Sequence, residues 1–326
     1  MTCASPYFIG IDVSCDFFHA AIPDRRPRLF EASVRGVREL LSWVRRDCPD
    51  LSIRAVMEHT GVYTWKLKQL LDGAGIESSL INPARIRYWA FGEGFRSKTD
   101  SQDALAILGW ARYHKPALTR MPPEAQHRVD NLMRGRDELI RMRVSAGNRL
   151  KTMQQVPELY GELLSIWEGI ADKLRECEDQ IDELIRVTIA GDATLNRAQA
   201  VLSGVKSIGP VATGMLCSML ERVLDCSEKQ LTALAGLAPR DWSSGRTVRG
   251  KPRIDKMGIP RMRRIMYWAA ISALRHDPAM REFSQTMKER GKPGKVIVVA
   301  VARKLLLKAQ RALKEEFRDR IPALTA

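Results

Sequence analysis

The chain has 326 residues, a formal net charge of +15 and 45% hydrophobic residues, which is the composition of an ordinary soluble protein long enough for two or three domains. No apolar run reaches membrane-spanning length, and the short apolar segment from Tyr7 to Val13 is interrupted by Asp12, so a signal peptide is not indicated. The six cysteines and five histidines are scattered without a Cys-x-x-Cys pair, which argues against zinc and structural disulfides. We therefore expect a cytoplasmic protein and exclude a membrane protein.

The positive charge is concentrated towards the C-terminus. Basic residues exceed acidic residues by 4 in residues 1–120 and by 14 in residues 191–326, whereas residues 121–190 carry a net charge of −3. A basic domain of this kind most often binds a polyanion, and without a membrane signal we expect nucleic acid. The alternative is a basic surface that only increases solubility.

The first 120 residues alternate between strand and helix patterns. Ser33 is suited to cap a helix, and Asn82 followed by Pro83 marks the start of another. The predicted elements are strands at Tyr7–Val13, Phe17–Ile22 and Arg28–Ala32, a helix at Ser33–Arg46, a strand at Ile53–Glu58, a helix at Val62–Ala74, a strand at Glu77–Ile81, and helices from Asn82 and from Ala104 to Tyr113.

Two of these predicted strands end in an acid, the first at Asp12 and the fourth at Glu58. Because parallel strands bring their carboxyl ends to the same edge of a sheet, we expect the two carboxylates to lie side by side. A three-strand meander followed by helix, strand, helix, strand and helix is the order of the ribonuclease-H-like fold, which we predict for this α/β domain.

Asp100 and Asp103 stand at the opening of the helix that follows Lys98. Their spacing of three puts both carboxylates on one face of a helix, where Mg²⁺ would find the oxygen ligands that it prefers. Taken alone, the pair favours helix capping, because acids are also favoured at the positive end of the helix dipole. Together with Asp12 and Glu58, it predicts a site for two Mg²⁺ ions about 4 Å apart acting on a phosphodiester.

The middle of the chain has helical periodicity. A helix is predicted from Glu124 to Val156, where Pro157 ends it. Apolar residues then recur four and three apart, which is the spacing of a heptad seam. The seam consists of Leu163, Trp167, Ile170, Leu174, Cys177, Ile181 and Leu184. The two helices can form an antiparallel hairpin, or the seam can carry dimerisation; the pattern does not separate these.

The C-terminal part contains two candidate DNA-binding features. Residues 202–213 have the glycine spacing of a helix-hairpin-helix turn, whose backbone N–H groups can approach a phosphate. Between Arg240 and Arg264 lie nine basic residues against two acids, and the glycine, proline and serine content predicts that much of this run is loop. Ser244 lies inside the run, with Arg246 and Arg249 available for phosphate binding and transition-state charge stabilisation. On these residues alone, Ser244 is a phosphate-contacting hydroxyl more often than a nucleophile.

A predicted helix from Pro260 to Arg275 and a glycine–lysine loop before the basic helix from Val296 to Arg318 complete the chain. The loop suits a phosphate but lacks P-loop spacing, so ATP use is not expected. The candidate nucleic-acid contacts are Lys98, Lys206, Arg240, Arg246, Arg249, Lys251, Arg253, Lys292 and Lys295.

The ordered motifs together resemble the DEDD-type insertion-sequence transposases of the insertion sequence one-ten family, which are related to the pilin-gene invertase. The resemblance covers nearly the whole chain. It rests on Ile9-Gly-Ile-Asp12, Glu58-His-Thr-Gly61, Ile81-Asn-Pro83, Lys98-Thr-Asp100-x-x-Asp103-Ala, Gly204-x4-Gly209 and Ala235-Gly-Leu-x-Pro239, followed by Ser244-Gly245 and Arg249-Gly250.

The resemblance implies a RuvC-like catalytic domain at residues 1–122, a helical hairpin or coiled coil at 123–195 and a mainly helical, basic transposase domain with a helix-hairpin-helix-like element at 196–326. Its catalytic and metal-binding acids match Asp12, Glu58, Asp100 and Asp103, and its nucleophile matches Ser244. The cofactor implied is Mg²⁺, with Mn²⁺ as a substitute.

The same resemblance implies a DNA recombinase that forms a phosphoserine link and rejoins the strand to a partner duplex. An element-encoded bridge RNA would pair with donor and target DNA, and dimers and a tetrameric synapse would bring the acids of one subunit to the serine of another. A location at the bacterial nucleoid is also implied.

Two departures from the family pattern affect the site. Ser243 adjoins Ser244 and is a rival nucleophile, although the residue before Gly245 is the family match; His59 stands where relatives often have a small residue. Two other functions stay open: a RuvC-like, junction-resolving Mg²⁺ nuclease in which water attacks, and a nucleic-acid-binding protein whose acids are structural. The recombinase requires the acids and Ser244, the nuclease only the acids, and the binding protein neither.

Overall fold

The computed structural model describes residues 6–48, 52–59, 61–95, 99–244 and 248–320; for 241–244, 248–252 and 320 it describes the backbone only. The chain divides into two compact units, Met1–Met121 and Pro122–Ala326. A further domain boundary near residue 195 stays a prediction. In the described part of the chain, no helix is both long and apolar enough to cross a membrane.

The first unit is a five-stranded mixed sheet with helices on both faces. The strand order is β3-β2-β1-β4-β5, in which β1 pairs antiparallel with β2 and parallel with β4. β3 is antiparallel to β2, and β5 is parallel to β4. The elements are β1 (Tyr7–Val13), β2 (Phe17–Ala21), β3 (Arg28–Glu31), α1 (Val34–Arg45), β4 (Ile53–Glu58), α2 (Val62–Gly73), β5 (Glu77–Ile81), α3 (Pro83–Gly92) and α4 (Asp100–His114). The predicted order of strands and helices is confirmed.

Alternation along β1 builds two cores, one on each face of the sheet. Ile9 points to the face covered by α1 and α2, where it shares a core with Leu40 and Leu71. Phe8 points to the opposite face and packs in a core with Ile107 of α4. Because side chains alternate along a strand, Gly10 and Asp12 lie on the face covered by α4.

The backbone of α4 lies directly against β1 at Gly10. A Cβ atom at Gly10 would come within 2.3 Å of the carbonyl oxygen of Ala104 and 2.4 Å of the backbone nitrogen of Leu108. Only a residue without a side chain permits such an approach. The contact holds the first turn of α4 over the C-terminal end of β1.

The predicted helix caps are confirmed where the structure shows them. Ser33 accepts a hydrogen bond from the backbone nitrogen of Gly36 at 3.2 Å, and Asn82 accepts one from that of Ala84 at 2.9 Å. These side chains satisfy backbone donors that a helix leaves unpaired at its start.

The second unit begins with an antiparallel hairpin of α5 (Glu124–Met153) and α6 (Pro157–Gly191). The Nε atoms of Arg136 and Arg143 donate to the carboxylates of Asp182 and Glu178, each at 2.5 Å. As the residue number rises on α5 it falls on α6, so the helices run in opposite directions. α5 ends at Met153, short of the predicted Val156, and Pro157 opens α6, because a proline is tolerated in the first turn of a helix.

The hairpin does not bury the predicted heptad seam on α6 at three of its seven positions. Leu163, Ile170 and Leu184 are exposed, whereas their neighbours Ala171 and Ile185 are buried. Each of these exposed residues is followed by another apolar residue, so the helix carries two overlapping apolar stripes. The hairpin buries the stripe that is shifted by one residue towards the C-terminus. Whether the exposed residues support dimerisation stays a prediction.

Short helices and a β-ribbon complete the second unit. They are α7 (Ala193–Ser203), α8 (Pro210–Cys217), α9 (Leu220–Asp225), α10 (Glu228–Leu234), β6 (Pro239–Ser244), β7 (Val248–Ile254), α11 (Pro260–His276), α12 (Pro278–Glu289), α13 (Gly294–Glu316) and a 3₁₀ turn at Arg318–Arg320. α7 and α8 lie on either side of the predicted helix-hairpin-helix turn at residues 204–209.

The expectation of loop between Arg240 and Arg264 is wrong. β6 and β7 pair antiparallel, with an irregularity in the register between Arg240 and Trp242. Gly258 lies so close to the end of α10 that a Cβ atom there would be 2.2 Å from the backbone nitrogen of Gly236 and 2.4 Å from the carbonyl oxygen of Leu234. Gly258 therefore allows close backbone packing, a role beyond the turns that glycine was expected to form in this run.

Replacing Gly10 by alanine should destabilise the first unit by about 1–3 kcal/mol or more, because the added methyl group would meet the backbone of α4. Urea denaturation monitored by circular dichroism measures the loss. Gly73→Ala is the matched control, since a Cβ atom at Gly73 meets nothing within 4 Å. Equal stability of the Gly10 and Gly73 variants would contradict the close contact.

Candidate active site

The candidate site begins at the end of two parallel strands. The register of β1 with β4 pairs Gly10 with Val56 and Ile11 with Met57. Asp12 and Glu58 are the next residues on these neighbouring strands, and they lie on the same face of the sheet as Gly10. The predicted juxtaposition of these two acids is therefore present in the backbone.

Two acids of α4 lie close enough to Asp12 to influence its ionisation. The pKa of Asp12 is raised to about 6 from the ordinary 3.8, first by burial and then by the nearby carboxylates of Asp103 and Asp100. His19 and a hydrogen bond from the backbone of Val13 act in the opposite direction. Three of the predicted acids thus share one electrostatic environment, to which β1 and α4 each contribute.

Capping of α4 does not depend on Asp100. The side chain of Thr99 accepts the hydrogen bond from the backbone nitrogen of Gln102 at 3.3 Å, and Thr99 is the N-cap residue. The carboxylate of Asp100 is left largely exposed at the edge of the sheet, 3.8 Å from the Nδ1 atom of His19. This weakens the alternative in which the Asp100 carboxylate is needed only to cap the helix.

His19 is a site residue that sequence reasoning missed. It lies opposite Asp12 in the β1–β2 pairing, so both side chains emerge on the face covered by α4. The short turn between the two strands was the sequence feature that could have indicated this residue, because it determines that residues 12 and 19 pair. Its imidazole stands between the acid of β1 and the first acid of α4.

His59 has a different environment. Its backbone N–H donates to the carbonyl oxygen of Ile81 at 2.8 Å, and its ring packs edge-on against Trp65 with centroids 5.5 Å apart. The Thr64 hydroxyl donates to the carbonyl oxygen of Glu58 at 3.1 Å. These contacts favour a role for His59 in shaping the turn after β4.

The donor chemistry fits a hard divalent cation. Carboxylate oxygens are the ligands that Mg²⁺ prefers, and the pKa of Asp12 is raised first by burial and then by repulsion from Asp103 and Asp100, which a cation would relieve. As the side chains are oriented, no three His, Cys, Asp or Glu residues among those described form a group able to hold an ion.

The predicted serine lies in the second unit, as the last residue of β6. Ser244 pairs with Val248, and Ser243 pairs with Arg249, across the ribbon. For Ser243, Ser244, Arg249 and Lys251 the structure describes only the backbone.

The other predicted nucleic-acid contacts are divided among several elements. Arg240 and Arg253 are paired across the ribbon and are exposed, and Lys206 is exposed in the turn between α7 and α8. Lys292 and Lys295 are exposed where α13 begins. Lys98 and Arg246 lie outside the described residues.

Two family models match this chain. The DEDD transposase IS110 model, described as a transposase, matches residues 9–156, and a model described as transposase IS116/IS110/IS902 family matches residues 199–285. The chain belongs to the IS110 family of transposases. The first match contains all four candidate acids, and the second contains the ribbon with Ser244.

Full-length relatives support this membership. A pilin gene-inverting protein of Moraxella bovis is 26% identical over 309 residues, covering 93% of this chain and 94% of the relative, and that of Moraxella lacunata matches equally. A putative transposase of Sinorhizobium fredii is 28% identical over 301 residues, covering 77% of this chain and 75% of the relative. The alignments with the Moraxella proteins therefore extend over both units of this IS110-family chain. Membership of the family implies DNA recombination.

Asp12→Asn should make this transposase more stable at neutral pH. The raised pKa means that the folded chain binds more protons than the unfolded chain between pH 3.8 and about 6. Wild-type stability therefore falls as pH rises through that window, and the whole penalty is present above it. We expect a gain of about 1–2 kcal/mol at pH 7.5, reduced for solvent screening at this half-buried site, that disappears below pH 4.

Urea denaturation of wild type and Asp12→Asn at pH 7.5, 5 and 3.5 measures this gain. A variant that is less stable than wild type at pH 7.5 would show that Asp12 serves the fold instead.

Proposed function

We propose that this chain is a Mg²⁺-dependent recombinase of an insertion sequence that cuts and rejoins DNA strands through a phosphoserine intermediate at Ser244. The observation that carries the proposal is the shared electrostatic environment of Asp12, Asp100 and Asp103, beside the strand position of Glu58. Family membership supports DNA as the substrate. Inversion of a DNA segment, the activity named for the Moraxella relatives, is one outcome of such strand exchange.

The first unit fits a ribonuclease-H-like, RuvC-like arrangement. Three antiparallel strands are followed by two parallel ones, and the acids stand at the carboxyl ends of β1 and β4 and at the start of α4. Asp12, Glu58, Asp100 and Asp103 would hold Mg²⁺. The metal, when bound, supplies a positive charge that orients a phosphodiester and stabilises the charge developing on its oxygens.

Ser244 would act as the nucleophile. A bond forms between its Oγ atom and the phosphorus, while one bond from phosphorus to a deoxyribose oxygen breaks and that oxygen receives a proton. In the second step, the freed hydroxyl of the partner duplex attacks the phosphoserine and releases Ser244. Because one phosphodiester is exchanged for another in each step, the reaction needs no ATP.

The basic residues of the second unit would bind the DNA backbone. Arg240, Arg253 and Lys206 are exposed there, and each positive charge placed on a phosphate releases counterions. The resemblance to bridge-RNA-guided recombinases supports an element-encoded RNA that selects donor and target DNA. It also supports a dimer and a tetrameric synapse in which the acids of one subunit serve the serine of another.

A covalent protein–DNA adduct tests the proposed chemistry. Protein purified with co-expressed element RNA meets labelled donor and target DNA with Mg²⁺, and products are separated on a denaturing gel. The wild type and Ser243→Ala should form an adduct, whereas Ser244→Ala should form none, because the attacking oxygen is missing. Ser243→Ala is the matched control, since it removes an adjacent hydroxyl.

The acids provide the second part of the test. Asp12→Asn and Glu58→Gln should lower adduct formation by at least about 100-fold while circular dichroism shows an unchanged fold. An adduct that survives both substitutions would contradict the proposed role of the acidic edge.

A hydrolytic nuclease is the second candidate. It is favoured by one observation: all four acids belong to the first unit, so the acidic edge is assembled without the ribbon. In that case, wild type and Ser244→Ala would cut DNA equally and leave no adduct, and the serine chemistry would be rejected.

A further inference from the structure

The outer face of α3 carries large aromatic side chains that the core does not use. Tyr88 is 69% exposed and Phe91 is 83% exposed. The two residues are three apart, so they are neighbours on one face of the helix, and Arg87 lies four residues before Phe91 on the same face. Ile86 attaches the inner face of α3 to the core, so neither exposed ring contributes to the packing of this helix.

The C-terminal half of α4 adds further rings and cations beside this face. The guanidinium of Arg85 lies 5.3 Å from the ring centroid of Trp110, and Arg85 is one turn before Tyr88 on α3. His114 stacks on Trp110 with centroids 4.4 Å apart, and Tyr113, which is 79% exposed, contacts the His114 ring. The aromatic patch is defined here as Arg85, Arg87, Tyr88, Phe91, Tyr113 and His114.

The charged residues of α3 and of the C-terminal half of α4 are all arginines, and the nearest acid along the chain is the exposed Glu93, which directly follows α3. α3 contains Arg85 and Arg87 and no acid, and residues 107–114 of α4 contain Arg112 and no acid. The exposed large apolar side chains of α3 and the C-terminal half of α4 are all aromatic.

Exposed rings interleaved with arginine are the chemistry that binds single-stranded nucleic acid. Unpaired bases stack on aromatic faces, and the phosphates between them are met by cations. A duplex hides the faces of its bases, so its backbone would contact the arginines but leave the rings without a stacking partner. The patch therefore fits an unpaired segment best.

The start of α3 connects the patch to the acidic edge. Asn82 caps α3 directly after Ile81, which pairs with Glu58 in the β4–β5 register. Ten residues of helix extend about 15 Å from that point. A strand held at the acidic edge can therefore continue along α3.

We propose that the aromatic patch binds a single-stranded segment of nucleic acid, stacking bases on Tyr88 and Phe91 while Arg85 and Arg87 contact its phosphates. The proposal rests on the proposed function only in taking nucleic acid as the partner. It requires neither Ser244 nor a metal ion. It also assigns nucleic-acid binding to the first unit, which carries little of the net positive charge.

Photo-crosslinking locates the contact directly. The full-length protein is irradiated with single-stranded RNA or DNA oligonucleotides containing 5-iodouracil, which crosslinks to aromatic side chains, and digested with trypsin. We expect a crosslinked peptide spanning residues 88–96, because Arg87 and Arg96 bound it. Crosslinks confined to residues 122–326 would overturn the proposal.

Affinity measurements separate stacking from general attraction to a basic protein. Tyr88→Ala with Phe91→Ala should weaken single-strand binding by about 10-fold or more without changing its salt dependence, because stacking releases no counterions. Tyr88→Phe with Phe91→Trp should restore binding. Arg85→Ala and Arg87→Ala should each reduce the slope of log affinity against log salt by about 0.7.

Two controls complete the experiment. Leu159→Ala, at an exposed apolar position of α6, should leave single-strand affinity unchanged, and duplex affinity should be unchanged in the aromatic double variant. Equal single-strand affinity of the double variant and wild type would overturn the proposal.

The covalent adduct is scored separately on the same preparations. A protein that crosslinks at the patch but forms no adduct would retain this surface and lose the proposed serine chemistry. A protein that forms the adduct but does not crosslink at the patch would support the serine chemistry and overturn the proposed binding surface.

Discussion

The first unit depends on one close contact, between the backbone of α4 and Gly10 of β1. The helix sits so near the strand that its first turn is held over the end of β1, where Asp12 already shares an edge with Glu58. The resulting crowding of carboxylates opposes stability, because burial and repulsion by Asp103 and Asp100 raise the pKa of Asp12. Dry packing on both faces of the sheet offsets this penalty. A cation bound beside these carboxylates would relieve the repulsion, which is the physical basis of the proposed metal site.

The sequence predicted the sheet well because its signals are local. β1, β4 and β5 have the predicted bounds, since each is a short apolar run bounded by turn residues. The ribbon was missed because its strands are rich in serine, glycine and arginine, and only their pairing stabilises them. On α6, Leu163, Ile170 and Leu184 stay exposed because an apolar neighbour in each case belongs to a second stripe, and tertiary packing selects between the two stripes.

The site was predictable to the extent that residue type and strand ends determine it. Asp12 and Glu58 follow from parallel strands, and Asp100 and Asp103 follow from helix spacing. His19 was not recognised because its place depends on the register between β1 and β2, which is a property of the pair. The exposed rings of α3 were also not predictable, because helical periodicity alone does not tell which apolar residues the core leaves outside.

Detecting the metal itself would test whether the acidic edge is a divalent-cation site. Crystals of the wild type and of Asp12→Asn grown with Mn²⁺ would be compared by anomalous diffraction. We expect an anomalous peak among Asp12, Glu58, Asp100 and Asp103 in the wild type, and a weaker or absent peak in the variant. Crystals that bind Mn²⁺ elsewhere, with the four carboxylates unliganded, would contradict this expectation.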